Sequence, residues 1–121
     1  MIKYDFHVHT CFCDGKDSPE QTVKTAIEKG FNAIGFSGHS HTPIDESYCM
    51  SLIETEKYFK EIFELKNKYG DKINIYCGLE FDFYSDSPID KADYLILSNH
   101  YIIKNDKIIT VDESKNVLLS A

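Results

Sequence analysis

Lys3-Tyr4-Asp5-Phe6-His7-Val8-His9, followed by Ser18-Pro19-Glu20-Gln21 and then by Phe31-Asn32-Ala33-Ile34-Gly35-Phe36-Ser37, is the stretch that decides the fold. Strand side chains alternate between faces, so Lys3 to His9 reads as a strand with Tyr4, Phe6 and Val8 on one side. Asp5, His7 and His9 fall on the other. Ser18 then reads as a helix N-cap, Pro19 as the first helical residue and Gln21 as the closing member of a capping box, with Gly30 ending the helix. Val23, Ala26 and Ile27 form its apolar stripe, which predicts packing on the side of Tyr4, Phe6 and Val8. Phe31 to Ser37 reads as a second, short and largely apolar strand, and Gly38-His39-Ser40-His41-Thr42-Pro43 as the loop that leaves its carboxyl end.

The same rhythm continues along the chain. Ser51 to Tyr69 predicts a second helix, opened by a Ser51–Glu54 capping-box pattern, with Phe59, Ile62, Phe63 and Tyr69 turned inward and Gly70 as the stop. Ile73 to Phe83 and Tyr94 to Ser98 read as the third and fourth strands. Tyr101 to Lys104 and Lys107 to Val111, joined by Asn105-Asp106, read as a hairpin, and Asp112 as the cap of a further helix. Strand, helix, strand, helix, strand, strand predicts the α/β class with a mostly parallel sheet, whose reactive groups lie beyond the carboxyl ends of the strands.

The 121 residues suffice for one domain with a core that needs no disulfide staples. Hydrophobic residues make up 42% and charged ones 27%, a globular balance and not that of a disordered tail. With 13 basic against 20 acidic residues the net charge is −7, and every basic residue is Lys. That balance argues against a nucleic-acid partner, which calls for a clustered basic face. No apolar run reaches the roughly 18 residues of a membrane helix, and Met1 to Asp5 leads straight into a strand pattern. The expectation is a cytoplasmic protein with no membrane partner, in which Cys11, Cys13, Cys49 and Cys77 remain thiols. Cys11 and Cys13 are open to two readings, as metal thiolates or as small polar or core residues.

The ends of the predicted strands gather the candidate ligands: His7, His9 and Asp14 after the first, His39 after the second, Glu80 in the third and His100 after the fourth. His7-Val8-His9 puts two imidazoles on one strand face roughly 6–7 Å apart, within joint reach of one ion. Alone, the pair reads equally as a hydrogen-bonded pair of strand histidines. Glu80 is more telling, because an acid among Ile73, Ile75, Tyr76, Leu79 and Phe81 is costly to bury unless a cation meets it. A metal ion is its simplest partner; a Lys on a half-exposed strand is the rival. Asp14, before Gly15, is either a ligand or a turn residue. Asp82 reads as a general acid or base, as a carboxylate orienting a ligand His, or as a structural residue. His41 reads as a solvent-facing or supporting residue. Imidazole with carboxylate suits Zn²⁺, Mn²⁺ and Fe²⁺.

These residues resemble those of the PHP (polymerase and histidinol phosphatase) family, and in particular its monofunctional histidinol-phosphatase branch. The likeness rests on Asp5-Phe6-His7-Val8-His9-Thr10 with Asp14, on Gly35-Phe36-Ser37-Gly38-His39-Ser40, on Gly78-Leu79-Glu80-Phe81-Asp82 and on Ser98-Asn99-His100-Tyr101. Asp45-Glu46-Ser47-Tyr48-Cys49-Met50 is similar to the branch. The resemblance implies a distorted (β/α)₇ barrel holding two or three divalent ions, Zn, Mn or Fe. It implies that His7 and His9 hold one ion, that Glu80 bridges it to a second held by His100, and that Asp14 and His39 contribute to a third. The implied reaction is hydrolysis of a small phosphate ester, L-histidinol phosphate, to L-histidinol and inorganic phosphate.

The family pattern continues with another His and an Asp-x-His pair that do not occur before Ala121, and family members commonly grip the phosphate with Arg, which is absent. The expectation is therefore that residues 1–121 form the amino-terminal part of a single PHP domain. A half barrel of this kind is expected to self-associate through its uncovered edges and apolar face. An amidohydrolase, which also opens with His-x-His, is disfavoured because a bridging Lys belongs where Glu80 stands. A PHP phosphoesterase of other specificity and a non-catalytic metal-binding or interaction module are the remaining alternatives.

Overall fold

Two helices lie against one face of a curled sheet whose first four strands run parallel in the order of the sequence. The computed structural model describes residues 2–44 and 46–98, together with the backbone of three later strands. The elements are β1 (Tyr4–Val8), α1 (Pro19–Glu28), β2 (Ala33–His39), α2 (Leu52–Tyr69), β3 (Asn74–Asp82), β4 (Tyr94–Ser98), β5 (Tyr101–Lys104), β6 (Lys107–Thr110) and β7 (Asn116–Leu119). The sheet order is β1-β2-β3-β4-β7, with β7 antiparallel to β4, and β5 and β6 pair as a separate antiparallel ribbon. The further helix expected after Asp112 gives way to β7. Its residues Asn116-Val117-Leu118-Leu119 align with the open edge of β4, which supplies ladder partners that a lone helical turn lacks.

The caps act as the sequence requires. Ser18 accepts the Gln21 N–H, while the Gln21 side-chain amide turns to Thr25, so only one half of the first capping box forms. At Ser51 both halves form: its hydroxyl accepts from Glu54 N–H and Glu54 accepts from Ser51 N–H. Gly30 follows α1 at φ 80°, the left-handed conformation that glycine tolerates.

The core lies between the helices and the sheet. Val23 and Ala26 of α1 and Tyr58, Phe59, Ile62 and Leu65 of α2 meet Ile34 and Phe36 of β2 and Ile75, Cys77 and Leu79 of β3. Phe63, expected inward, is 64% exposed: Ile62 and Phe59 already face the sheet, and the next residue along rotates out of the stripe. A second correction concerns β1. Asp5 pairs with Ile34 but Val8 pairs with Phe36, three residues against two, so a bulge shifts the alternation. Val8 therefore reaches the helix-side core, whereas Phe6, expected beside it, packs against Gly35 and the ring of Tyr94 on the opposite face.

Tyr94 ties that opposite, concave face together. Its side chain lies across Gly35 and Gly78, where an added Cβ would stand 2.5 Å from the hydroxyl oxygen and from a ring carbon respectively, and its hydroxyl is 2.6 Å from Phe6 O and 2.9 Å from Phe36 O. One side chain of β4 thus bridges to β1 and β2, curling the sheet inward. From the helix side the Tyr58 hydroxyl donates to Gly78 O and accepts from Gly38 N–H. Among the described residues no helix is long and apolar enough to cross a membrane.

Candidate metal centre

The carboxyl ends of β1, β2 and β3 converge on Glu80. Register brings His39, the last residue of β2, directly opposite Glu80 on β3, so the strand runs two residues further than expected and places His39 on the sheet and not in a loop. Glu80 is 0% exposed. Its Oε1 lies 2.6 Å from His7 Nε2 and 3.3 Å from His9 Nε2, and its Oε2 lies 3.1 Å from His39 Nδ1. The bulge in β1 leaves His7 and His9 on the concave side with Phe6, so both imidazoles reach the same carboxylate.

Asp14 approaches from the opposite side. After His9 the chain folds into a tight turn in which Cys13 and Gly15 N–H both donate to Thr10 O. Gly15 is packed so closely on the His9 and Thr10 backbone that a Cβ would fall at 2.6 Å, which makes glycine a requirement of this turn. The turn carries Asp14 back over His9: Asp14 Oδ1 is 2.6 Å from His9 Nδ1 and Oδ2 is 3.0 Å from His39 Nε2. His9 and His39 are each held between the two carboxylates, with their rings edge to face at 4.4 Å.

The electrostatics follow from that packing. Burial works to lower the His9 pKa, but the side chains of Cys13, Glu80 and Asp14 outweigh it and push the imidazole up to about 10. Burial also works to raise Glu80, yet hydrogen bonds from His39, His9 and His7 hold its carboxyl far below the usual range. Asp14 is likewise lowered against the opposing effect of its burial, chiefly by His9 and His39. A buried carboxylate of this kind requires cationic neighbours. Hydrogen bonds to the three imidazoles answer that demand here, and a divalent ion is the other species that meets it.

His7, His9 and Glu80 form one group of donors, and His9, Asp14 and His39 another, each with its ligand atoms within 4.8 Å of one another. Two neighbouring sites sharing His9 and flanking Glu80 fit imidazole-plus-carboxylate ions such as Zn²⁺, Mn²⁺ or Fe²⁺. The structure therefore brings together five of the residues singled out in the sequence. Asp82 is buried beside them on β3, its Oδ2 accepting the Tyr84 N–H. His100 and Asp45 lie outside the described residues.

Two features carry no clear signal in the sequence. His41 is nearly buried, with Nδ1 2.5 Å from Asp86 Oδ1 and Nε2 3.6 Å from Glu46 Oε1. The hydrogen bond to Asp86 raises its pKa, and with the Ser85 hydroxyl donating to His41 O it ties the loop after β2 to the loop after β3. Cys13, which the sequence left open, lies against the cluster while Cys11 is exposed. Both arrangements depend on loops meeting in space.

Comparison with known proteins agrees with this architecture: the PHP domain family matches residues 5–118. The chain belongs to the PHP domain family. It is 31% identical to the histidinol-phosphatase of Bacillus subtilis, over 92% of this chain and 44% of that protein. It is 34% identical to the histidinol-phosphatase of Lactococcus lactis, over 84% of this chain and 40% of that protein. The PHP chain thus spans less than half the length of these curated relatives. The solved hisK structure from Listeria monocytogenes shares its fold with a TM-score of 0.74 at 24% identity, covering 91% of this chain and 49% of that one. Histidinol phosphate phosphatase from Lactococcus lactis, solved with Zn, L-histidinol and phosphate, aligns with a TM-score of 0.66 at 29% identity, covering 86% and 41%.

Proposed function

We propose that this PHP chain carries the first part of the metal centre of a phosphomonoesterase that hydrolyses L-histidinol phosphate to L-histidinol and inorganic phosphate. The observation that carries the reading is Glu80, a fully buried carboxylate faced by His7, His9 and His39. Burying an acid is costly unless compensating groups meet it, and three imidazoles do so here. The names of the histidinol-phosphatase relatives, and the zinc, histidinol and phosphate bound by one of them, support the substrate.

In this reading His7, His9 and Glu80 would hold one divalent ion and Asp14 and His39 would contribute to another, with His100 proposed as a further ligand. Bound divalent ions supply an activated water and neutralise phosphoryl charge, which is most of what phosphate-ester hydrolysis needs. The chain's own residues have positioning roles. Glu80 fixes the spacing of the imidazoles, Asp14 orients His9 and His39 from the outer side, and Asp82 shapes the turn at the rim through Tyr84 N–H. An acidic protein then binds an anionic ester because the cations sit in the cleft.

The test is metal content and phosphate release together. The protein loaded with Zn²⁺ or Mn²⁺ is expected to retain metal through gel filtration and to release phosphate from L-histidinol phosphate faster than from p-nitrophenyl phosphate. Retained metal with no release from either ester refutes catalysis by this chain, and equal rates on both refute the specificity.

A further inference from the structure

The turn that delivers Asp14 also delivers a sulfur atom. Cys13 Sγ is 3.4 Å from Asp14 Oδ1, to which its S–H donates, and 3.5 Å from the His39 backbone N–H, which donates to it. Asp14 Oδ1 is in turn 2.6 Å from His9 Nδ1. The thiol is partly buried and touches the Asp14 carboxylate, one member of the group formed with His9 and His39. With Zn–S near 2.3 Å and Zn–O near 2.1 Å, two ligands of one tetrahedral zinc stand about 3.5 Å apart. The sulfur and the carboxylate oxygen already have that separation.

The local fold fixes the backbone that carries the sulfur. Cys13 N–H and Gly15 N–H share Thr10 O, and Cys11 N–H bonds to Asp17 O, so the turn is tied at both ends. Cys11, two residues away, points to solvent and provides an internal control. We propose that Cys13 is a sulfur ligand of the ion held by His9, Asp14 and His39, and that it biases this site toward zinc over harder ions such as Mn²⁺. Thiolate is the soft donor in a set otherwise composed of imidazole and carboxylate, and soft donors favour zinc. On binding, the thiol proton leaves to solvent and the sulfur lone pair takes its place on the ion. The inference rests on the reading of the cluster as a metal centre.

The test uses Co²⁺ as the probe. The cobalt-loaded protein is expected to show a sulfur-to-cobalt charge-transfer band in the near ultraviolet, retained in Cys11→Ser and lost in Cys13→Ser. The wild-type spectrum alone is informative, so the test survives a variant that folds poorly. Zn²⁺ is also expected to shield Cys13 from iodoacetamide while leaving Cys11 reactive, and Cys13→Ser to weaken Zn²⁺ binding by at least the roughly tenfold typical of lost supporting groups, with a smaller effect on Mn²⁺. Cobalt uptake without the band, or a band that persists in Cys13→Ser, overturns the proposal and leaves the imidazole–carboxylate centre standing. Failure to take up any cobalt, zinc or manganese overturns both.

Discussion

Replacing Tyr94 by Phe removes one oxygen and tests whether the concave face is held by a single side chain. The ring is 3% exposed, and its hydroxyl serves two backbone carbonyls, Phe6 O at 2.6 Å and Phe36 O at 2.9 Å. Leaving a buried acceptor without its donor costs about 1–3 kcal/mol, and one proton is shared here, so the expected loss is about 2 kcal/mol. For a chain of this size that lowers the melting temperature by roughly 8 °C. Gly78→Ala should cost more, because its Cβ would stand 2.5 to 2.7 Å from three carbons of the same ring. The ring, already against Phe6, must shift by about 1 Å, an overpacking cost of about 1–3 kcal/mol on top of the weakened hydrogen bonds. Because both changes act on one ring, Gly78→Ala should be milder when Tyr94 is already Leu. Urea denaturation of the double-mutant cycle is expected to give a coupling of about 1 kcal/mol or more. Additivity to within about 0.5 kcal/mol would refute the account of Tyr94 as the clamp.

Four further outcomes are expected. Glu80→Gln keeps the volume but removes the charge shared by three imidazoles, and elemental analysis should find its affinity for Zn²⁺ or Mn²⁺ reduced at least about tenfold; unchanged metal content would contradict a ligand role. Ser51→Ala removes the hydroxyl that accepts the Glu54 N–H, while the bond from the Ser51 N–H to Glu54 survives, and should destabilise by about 1 kcal/mol, measured by thermal melting. Ile62→Ala, at a fully buried site, should cost about 2–5 kcal/mol, whereas Phe63→Ala at its exposed neighbour should stay within about 0.5 kcal/mol; similar losses would show that both residues are packed. Burial pushes the Cys77 thiol up to about 12 from an ordinary 9.0. The folded state therefore keeps a proton that the unfolded chain releases, and this contribution to stability is full below pH 9 and declines as pH rises toward 12. Urea midpoints measured from pH 8 to 11 should fall, and should fall less in Cys77→Ala.

The error over Phe6 and Val8 shows where sequence reasoning reaches its limit. Strict alternation puts both on one face, and nothing in Asp5-Phe6-His7-Val8 announces the extra residue that sends them to opposite faces. The bulge exists because β1 must pair with β2 while Phe6 fits against Gly35 and the ring of Tyr94, 88 residues later in the chain. It also favours the centre, since it leaves His7 and His9 facing Glu80. Phe63 failed for a related reason: an apolar residue at the margin of a helical stripe is buried only if a neighbour covers it.

What the chain determined locally was the helix boundaries at Ser18, Ser51 and Gly30, the strand-helix rhythm, and the chemical oddity of Glu80 in an apolar strand beside His7-x-His9. Those features depend on caps, periodicity and desolvation, which act within a few residues. Tertiary structure alone decided that Asp14 closes over His9 and His39, that Asp86 holds His41, and that Cys13 rather than Cys11 touches the centre. Each of these depends on loops brought together by parallel strand register, and register is set by the whole sheet at once.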